Sequence, residues 1–370
     1  MANPLEKFLD FTKFALWQRK SNKVIGIDVG ASSIKIVQLR KEHGRAVLET
    51  YGEISTGPYR QLAVGQAVVL TPDKLVEALK DLFREANVTT KSASFAIPLG
   101  SSLLVIIEIP RVSKDALPKV VPIEARKYIP VPIGEVAIDW WQIPAQEMDP
   151  ENKVPTKMEV LVAAIHKGVI SQYHDLATRL AVDASFFEIE TFSSIRAVFG
   201  GEMAPTAIID IGAGSTKMAI LDYGIVRVSH TIHKGSQDIT MAISRTLGVD
   251  FAKAEEIKRT VGLTERLTGE GLSATVNGLV EYIFSEANKI ILAYQAKQKK
   301  TVNRIILIGG GSLLKGLLEV AEKNFEIPVV VGKPFNKVEA PPFLANVLGE
   351  AGPGFAVAIG LALRHLQNLD

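Results

Sequence analysis

At 370 residues, 47% of them hydrophobic and 22% charged, the chain is long enough for two domains with sizeable cores and too apolar to be disordered. A net charge of +2 with no long basic run argues against nucleic acid as a partner. The lack of cysteine excludes a disulfide framework and thiolate zinc sites, and fits a reducing compartment.

Residues 5–19 read as a helix with Leu5, Phe8, Leu9, Ala15 and Leu16 on one stripe. Phe11, Phe14 and Trp17 widen it, and Lys7, Lys13, Arg19 and Lys20 outnumber Glu6 and Asp10. Such a helix could lie on a membrane or a partner, or pack on the chain's own surface. Lys7, Asp10 and Lys13 interrupt any secretory core, and no apolar run of the ~20 residues needed for a span is read. A soluble, cytoplasmic chain is expected.

Residues 24–39 predict a β-hairpin: an apolar run ending at Asp28, a turn through Gly30-Ala31-Ser32-Ser33, then an alternating strand. Ser32 and Ser33 supply donors and Lys35 a cation, which suits a phosphate. Asp28, closing a buried strand, needs a cation or donors. Alone, the stretch fits a plain polar turn equally well. After it come a strand at 46–54, a loop at 57–66 and a helix with Pro72 in its first turn. Residues 94–98 and 103–109 read as strands, 113–128 as a helix and 138–143 as a strand. Pro118 and Pro122 fall inside that helix, where each would cost about 3 kcal/mol and kink it. Trp140 and Trp141 should point to opposite faces of their strand, as an exposed peptide anchor or as two partly buried rings.

The hairpin pattern returns at 206–221 with Asp210, Gly212, Gly214, Ser215, Thr216 and Lys217 in the same order, roughly 180 residues on, a domain-sized spacing. His230 and His233 are three apart on a strand, so they face opposite sides and make a poor metal pair. Gly235 and Ser236 precede a helix over 238–247, and residues 251–262 form a charged helix carrying Glu255, Glu256 and Lys258. A long helix at 279–298 ends in lysines that suit its dipole. Finally Gly309, Gly310 and Gly311 follow a buried strand at 304–308, with Ser312 expected to cap a helix over 313–325. Such a glycine run leaves a flat surface for an adenine or ribose, although alone it is an ordinary strand-to-helix turn. Small residues Ala358, Gly360 and Ala362 give the helix at 354–366 a surface for close approach.

The two hairpins and the glycine run resemble the phosphate-1, phosphate-2 and adenosine motifs of the actin, Hsp70 and sugar-kinase ATPase superfamily. No GxxxxGK[ST] is present, which disfavours a P-loop fold. The string Glu124-Ala125-Arg126-Lys127-Tyr128-Ile129-Pro130-Val131-Pro132-Ile133-Gly134-Glu135-Val136-Ala137-Ile138-Asp139 is similar to a segment of the PilM family of actin-like type IV pilus proteins. The likeness extends through 163–198.

The resemblance implies an α/β, actin-like ATPase fold: two related ribonuclease-H-like domains, the first carrying an inserted subdomain of the kind found in the FtsA division proteins. The expected division is an N-terminal tail at 1–22, a first domain at 23–189 with the insertion at about 92–158, and a second at 190–352. Within the second, a nucleoside-contacting subdomain is expected at about 235–300, and a connecting helix at 353–370 should return to the first domain. The implied ligands are ATP and Mg²⁺. The phosphates would be held by Gly30, Ser32, Ser33, Lys35, Gly212, Gly214, Ser215, Thr216 and Lys217. The metal would be held by Asp28 and Asp210 through water, and the nucleoside by Glu255, Lys258, Gly309, Gly310, Gly311 and Ser312. No residue is identified for activating water, His166 being the weak candidate.

The implied role is a cytoplasmic adaptor at the inner face of the membrane. It would dock the N-terminal cytoplasmic peptide of a PilN-like membrane protein and link it to the pilus motor ATPase. Self-association and contact with lipid through the N-terminal helix stay open. The alternatives are an FtsA-like filament-forming division protein and a small-molecule kinase.

Overall fold

A computed structural model describes residues 22–144, 156–263 and 270–369. The expected N-terminal helix at 5–19 and the stretch 145–155 within the insertion lie outside the described residues.

Lys23–Val29 (β1), Ser33–Glu42 (β2) and Arg45–Ser55 (β3) form an antiparallel meander. After Pro72–Glu85 (α1), Ser92–Ile97 (β4) pairs parallel to β1, and Asp183–Ile189 (β8) pairs parallel to β4. The order is β3-β2-β1-β4-β8. Thr206–Ile211 (β9), Thr216–Asp222 (β10), Ile225–Ile232 (β11), Arg304–Ile308 (β12) and Val329–Val331 (β13) repeat that plan as β11-β10-β9-β12-β13. The duplication reaches the register: Asp28 stands opposite Lys35 and Asp210 opposite Lys217.

Between β4 and β8 the chain builds a third sheet, β5-β7-β6, from Ser102–Pro110 (β5), Val136–Gln142 (β6) and Lys157–His166 (β7). The insertion thus begins about ten residues after the expected 92, because β4 belongs to the five-stranded sheet, and it runs on to His166. Its helix, Leu117–Ala125 (α2), starts later than expected from Ser113. Pro118 then falls in the first turn, where no amide is needed, and only Pro122 is interior. Trp140 packs on the core of the inserted sheet and Trp141 on that of the first sheet, so both rings are partly buried.

Lys167–Leu180 (α3) and Glu190–Val198 (α4) flank β8. Ser236–Leu247 (α5), Phe251–Val261 (α6) and Glu270–Gln298 (α7) cover the second sheet, with Leu317–Asn324 (α8) beside them. Ala345–Ala351 (α9) follows, and Ala356–Gln367 (α10) crosses the first sheet. The stretch Pro342–Gln367 has the length and hydropathy of a membrane span, contrary to the expectation of none. It is broken at Gly352–Phe355 and 56% of its most apolar window is buried, as befits a core element.

Two close approaches seat α10. A Cβ on Gly26 would lie 2.1 Å from the Ala358 carbonyl oxygen, and one on Gly360 would lie 1.8 Å from that of Ser193 on α4. Beside this crossing sits the fully buried Glu188 of β8. It accepts from both terminal guanidinium nitrogens of Arg196 at 2.7 Å, from Arg364 at 2.8 Å and from the Ser193 hydroxyl. One carboxylate thereby ties β8, α4 and α10 together.

Candidate functional site

The two meanders bring their turns face to face. In each, a glycine amide closes the turn at 3.0 Å, Gly30 on the Ser33 carbonyl and Gly212 on the Ser215 carbonyl. A methyl added at Gly214 would stand 4.0 Å from the Ala31 side chain. Between the sheets lies a cavity of about 500 Å³. Asp28, Gly30, Ser32, Ser33 and Lys35 line it from the first sheet, and Asp210, Gly212, Gly214, Ser215 and Lys217 from the second. Gly309, Gly310 and Gly311 and, from α6, Glu255 and Lys258 complete the wall.

Two predicted residues fall outside this lining. The Thr216 hydroxyl is buried and donates to the Lys234 carbonyl at 2.9 Å. Ser312 does not cap a helix. Residues Gly310–Leu313 form a 3-10 turn, the Ser312 hydroxyl donates to the Gly309 carbonyl at 2.7 Å, and α8 begins only after Gly316. His166 also lies elsewhere: it caps α3 by accepting from the Gly168 amide at 3.1 Å and faces Glu135. Glu255 accepts from Thr240 at 2.7 Å and pairs with Lys258 and Arg259, each at 2.7 Å, so it fastens α6 to α5 where they border the cavity. Glu256 instead faces outward and pairs with Lys253.

A residue that sequence reasoning missed is Glu190, the first of α4. It reaches the cavity, pairs with Lys217 at 2.8 Å and accepts from the Leu99 amide at 2.7 Å. One side chain thus joins the second hairpin to the turn that leads into the inserted sheet. Its signal was an acid closing a buried strand, the same argument that singled out Asp28, but an acid opening a helix is commonplace.

Five carboxylates, Asp28, Glu53, Glu190, Asp210 and Glu255, line the cavity against four cations, Lys35, Lys217, Lys258 and Arg259, with Lys35 paired to Glu53 at 3.1 Å. Burial pushes Asp28 up to about 7 against the pull of Lys35, with Glu190 raising it further. Burial also raises Asp210, opposed by Lys217. Burial works against the charge of Lys217, yet Glu190 and Asp210 hold it protonated above its usual range. The pocket is short of positive charge and would welcome a cation. Among the described residues no three acids or histidines converge as a direct metal cage. A magnesium ion there would take its remaining ligands from water and phosphate, as that ion commonly does. The turn amides, serine hydroxyls and amines fit the phosphates.

Between pH 4 and 7 the folded chain retains a proton on Asp28 that the unfolded chain has released. Stability therefore falls as pH rises through that interval and levels off above it. Asp28→Asn is expected to raise the melting temperature by a few degrees at pH 8 and by less at pH 5. An equal change at both values would remove Asp28 as the source.

A loop that follows β3 borders the cavity at Gly65 and reaches α5 and α6. The Ala67 amide donates to the Gln237 side chain of α5 at 2.6 Å, the Val68 amide to the Ala31 carbonyl at 2.9 Å, and Gly65 lies against Glu255.

The family model described as type IV pilus assembly protein PilM matches residues 26–366. Among curated proteins, the cell division protein FtsA of Enterococcus faecalis is 21% identical over 89% of this chain and 82% of its own length. Among solved structures, a PilM-PilN type IV pilus biogenesis complex superposes with a TM-score of 0.79 at 24% identity, covering 94% of this chain and 99% of that one. MreB5 of Spiroplasma citri bound to ADP gives 0.51 at 13% identity, over 95% and 98%. The fold is that of the actin-like ATPases.

Proposed function

The chain belongs to the family of type IV pilus assembly protein PilM, and from that premise we propose that it is an ATP- and Mg²⁺-binding adaptor. In this reading it docks the N-terminal cytoplasmic peptide of a PilN-like membrane protein at the inner face of the membrane and links it to the pilus motor. The observation that carries the nucleotide half is the convergence of two registered Asp-Lys hairpins and a triple glycine on one cavity. When bound, the nucleotide brings a triphosphate whose charge Lys35, Lys217 and the accompanying Mg²⁺ would offset.

The chain's own residues divide the task. Asp28 and Asp210 would orient the metal's water shell, while Lys35 and Lys217 offset phosphate charge. Gly30, Ser32, Ser33, Gly212, Gly214 and Ser215 would donate to oxygens. Gly309, Gly310 and Gly311 would offer a bare surface to the nucleoside, with Lys258 at its edge. Glu190 acts as a positioning residue, since its carboxylate holds Lys217 and the Leu99 turn together. The peptide half rests on family membership and on the PilN partner named for the superposed PilM structure.

A calorimetric titration of the full chain tests both halves. The probe is the synthetic N-terminal peptide of the PilN-like protein from the same pilus system, with and without Mg-ATP. We expect saturable peptide binding that responds to Mg-ATP, and loss of that response in Asp28→Ala and Asp210→Ala. ATP-dependent polymerisation without peptide binding would assign the chain to the FtsA-like alternative. Phosphorylation of a small molecule would assign it to the kinases.

A further inference from the structure

Strand β13 is the outer strand of the second sheet, bonded on one side only, to β12. The Ile305 amide donates to the Pro328 carbonyl at 2.9 Å and the Gly332 amide to the Leu307 carbonyl at 2.8 Å. By the alternation of a parallel ladder, the amides and carbonyls of Val329 and Val331 then point away from the sheet. They open into a groove of about 570 Å³. Ala197 and Val198, at the end of α4, wall it on one side and Leu318 of α8 on the other, with Ile306 in its floor.

Sheet edges are ordinarily blunted by shortness, proline and lysine. Pro328 and Pro334 do bracket this one, but the edge is recessed between apolar walls. The rim is basic. Lys333 and Lys337 border the groove, and neither has a carboxylate partner among the described residues; Lys337 donates to the Phe199 carbonyl at 2.8 Å. Arg304 is matched by Glu202 at 3.1 Å. No acidic side chain is among the described residues lining the groove.

We infer that β13 is a docking edge for an extended polypeptide segment that alternates apolar side chains and carries an acidic residue toward Lys333 and Lys337. The segment adds as a sixth strand, its main chain meeting Val329 and Val331 and its apolar side chains resting alternately on Val198 and Leu318. This surface is separate from the nucleotide cavity and does not depend on it.

The test pans a phage-displayed library of ten-residue peptides against the full chain, then measures a fluorescein-labelled winner by anisotropy. Winners should alternate apolar positions with at least one acid. Val331→Pro, which removes an outward amide and leaves the β12 ladder intact, should weaken binding about tenfold, the worth of one or two net hydrogen bonds. Lys333→Glu with Lys337→Glu should weaken it comparably at low salt and less at high salt. This pair sits on the surface, so it reports even if the proline variant fails to fold. Glu256→Ala, on the outward face of α6, should leave the affinity unchanged. Winners without alternation, or indifferent to both variants, would overturn the proposal. So would a dimer of the wild-type chain that Val331→Pro disperses, because the occupant would then be a second copy.

Discussion

Glu188→Ala should destabilise the chain by about 3–5 kcal/mol, a larger effect than any surface change. The carboxylate is fully buried and is shared by two guanidinium groups, Arg196 on α4 and Arg364 on α10. Nearby positive charge draws it below the usual glutamate range even though burial alone would raise it. Removing it leaves two cations facing each other in a dry interior, with the Ser193 hydroxyl and the Gly360 carbonyl as the nearest remaining polar company. In thermal unfolding this corresponds to a drop on the order of 10 °C. The informative control is the triple replacement of Glu188, Arg196 and Arg364 by Met, which should recover most of the loss because it leaves no unpaired charge. If Glu188→Ala lay within about 1 kcal/mol of wild type, the network would not be what holds α10 to β8.

Gly309→Ala is expected to cost at least a hundredfold in Mg-ATP affinity while the chain remains folded. Gly309 has φ +84°, where a side chain is strained, and its amide donates to the Pro353 carbonyl at 2.9 Å. A Cβ there would come within 2.3 Å of the Asp210 carboxylate and 2.5 Å of the Ile211 carbonyl. The glycine turn or the hairpin must then move, and with it the carboxylate proposed to order the metal's water. Strain of this kind costs about 1–3 kcal/mol of stability. Gly349→Ala is the matched control. That glycine lies inside α9 with open space where its Cβ would go, so stability should rise slightly and binding should stay the same. Unaltered affinity in Gly309→Ala would separate Asp210 from the ligand.

Both hairpins could be read from the sequence because each is local. A β-branched run, an acid, a glycine turn and an amine fix register within sixteen residues, and the structure sets Asp28 against Lys35 and Asp210 against Lys217. Helix starts near proline and glycine were less legible. Pro118 reads as interior only if α2 starts at Ser113, and the later start at Leu117 removes the conflict. Gly316, with φ +80°, delays α8, so Ser312 turns its hydroxyl back on Gly309 instead of capping a helix. Glu190 was hidden for a different reason. Its importance comes from Lys217 and from the Leu99 amide, partners far away in the chain. The groove along β13 is likewise invisible in one dimension, since its walls come from α4 and α8 and its rim from the segment after β13.

The seat of α10 has a consequence for biosynthesis. Gly26 is among the first described residues to leave the ribosome, yet the helix that covers it follows about 330 residues later, a separation that slows folding. At translation rates of roughly 5–20 residues per second, the nascent first sheet waits tens of seconds with that face bare. Over that interval it is a natural client for a holding chaperone, and cells short of chaperones should yield aggregate before they yield misassembled pili.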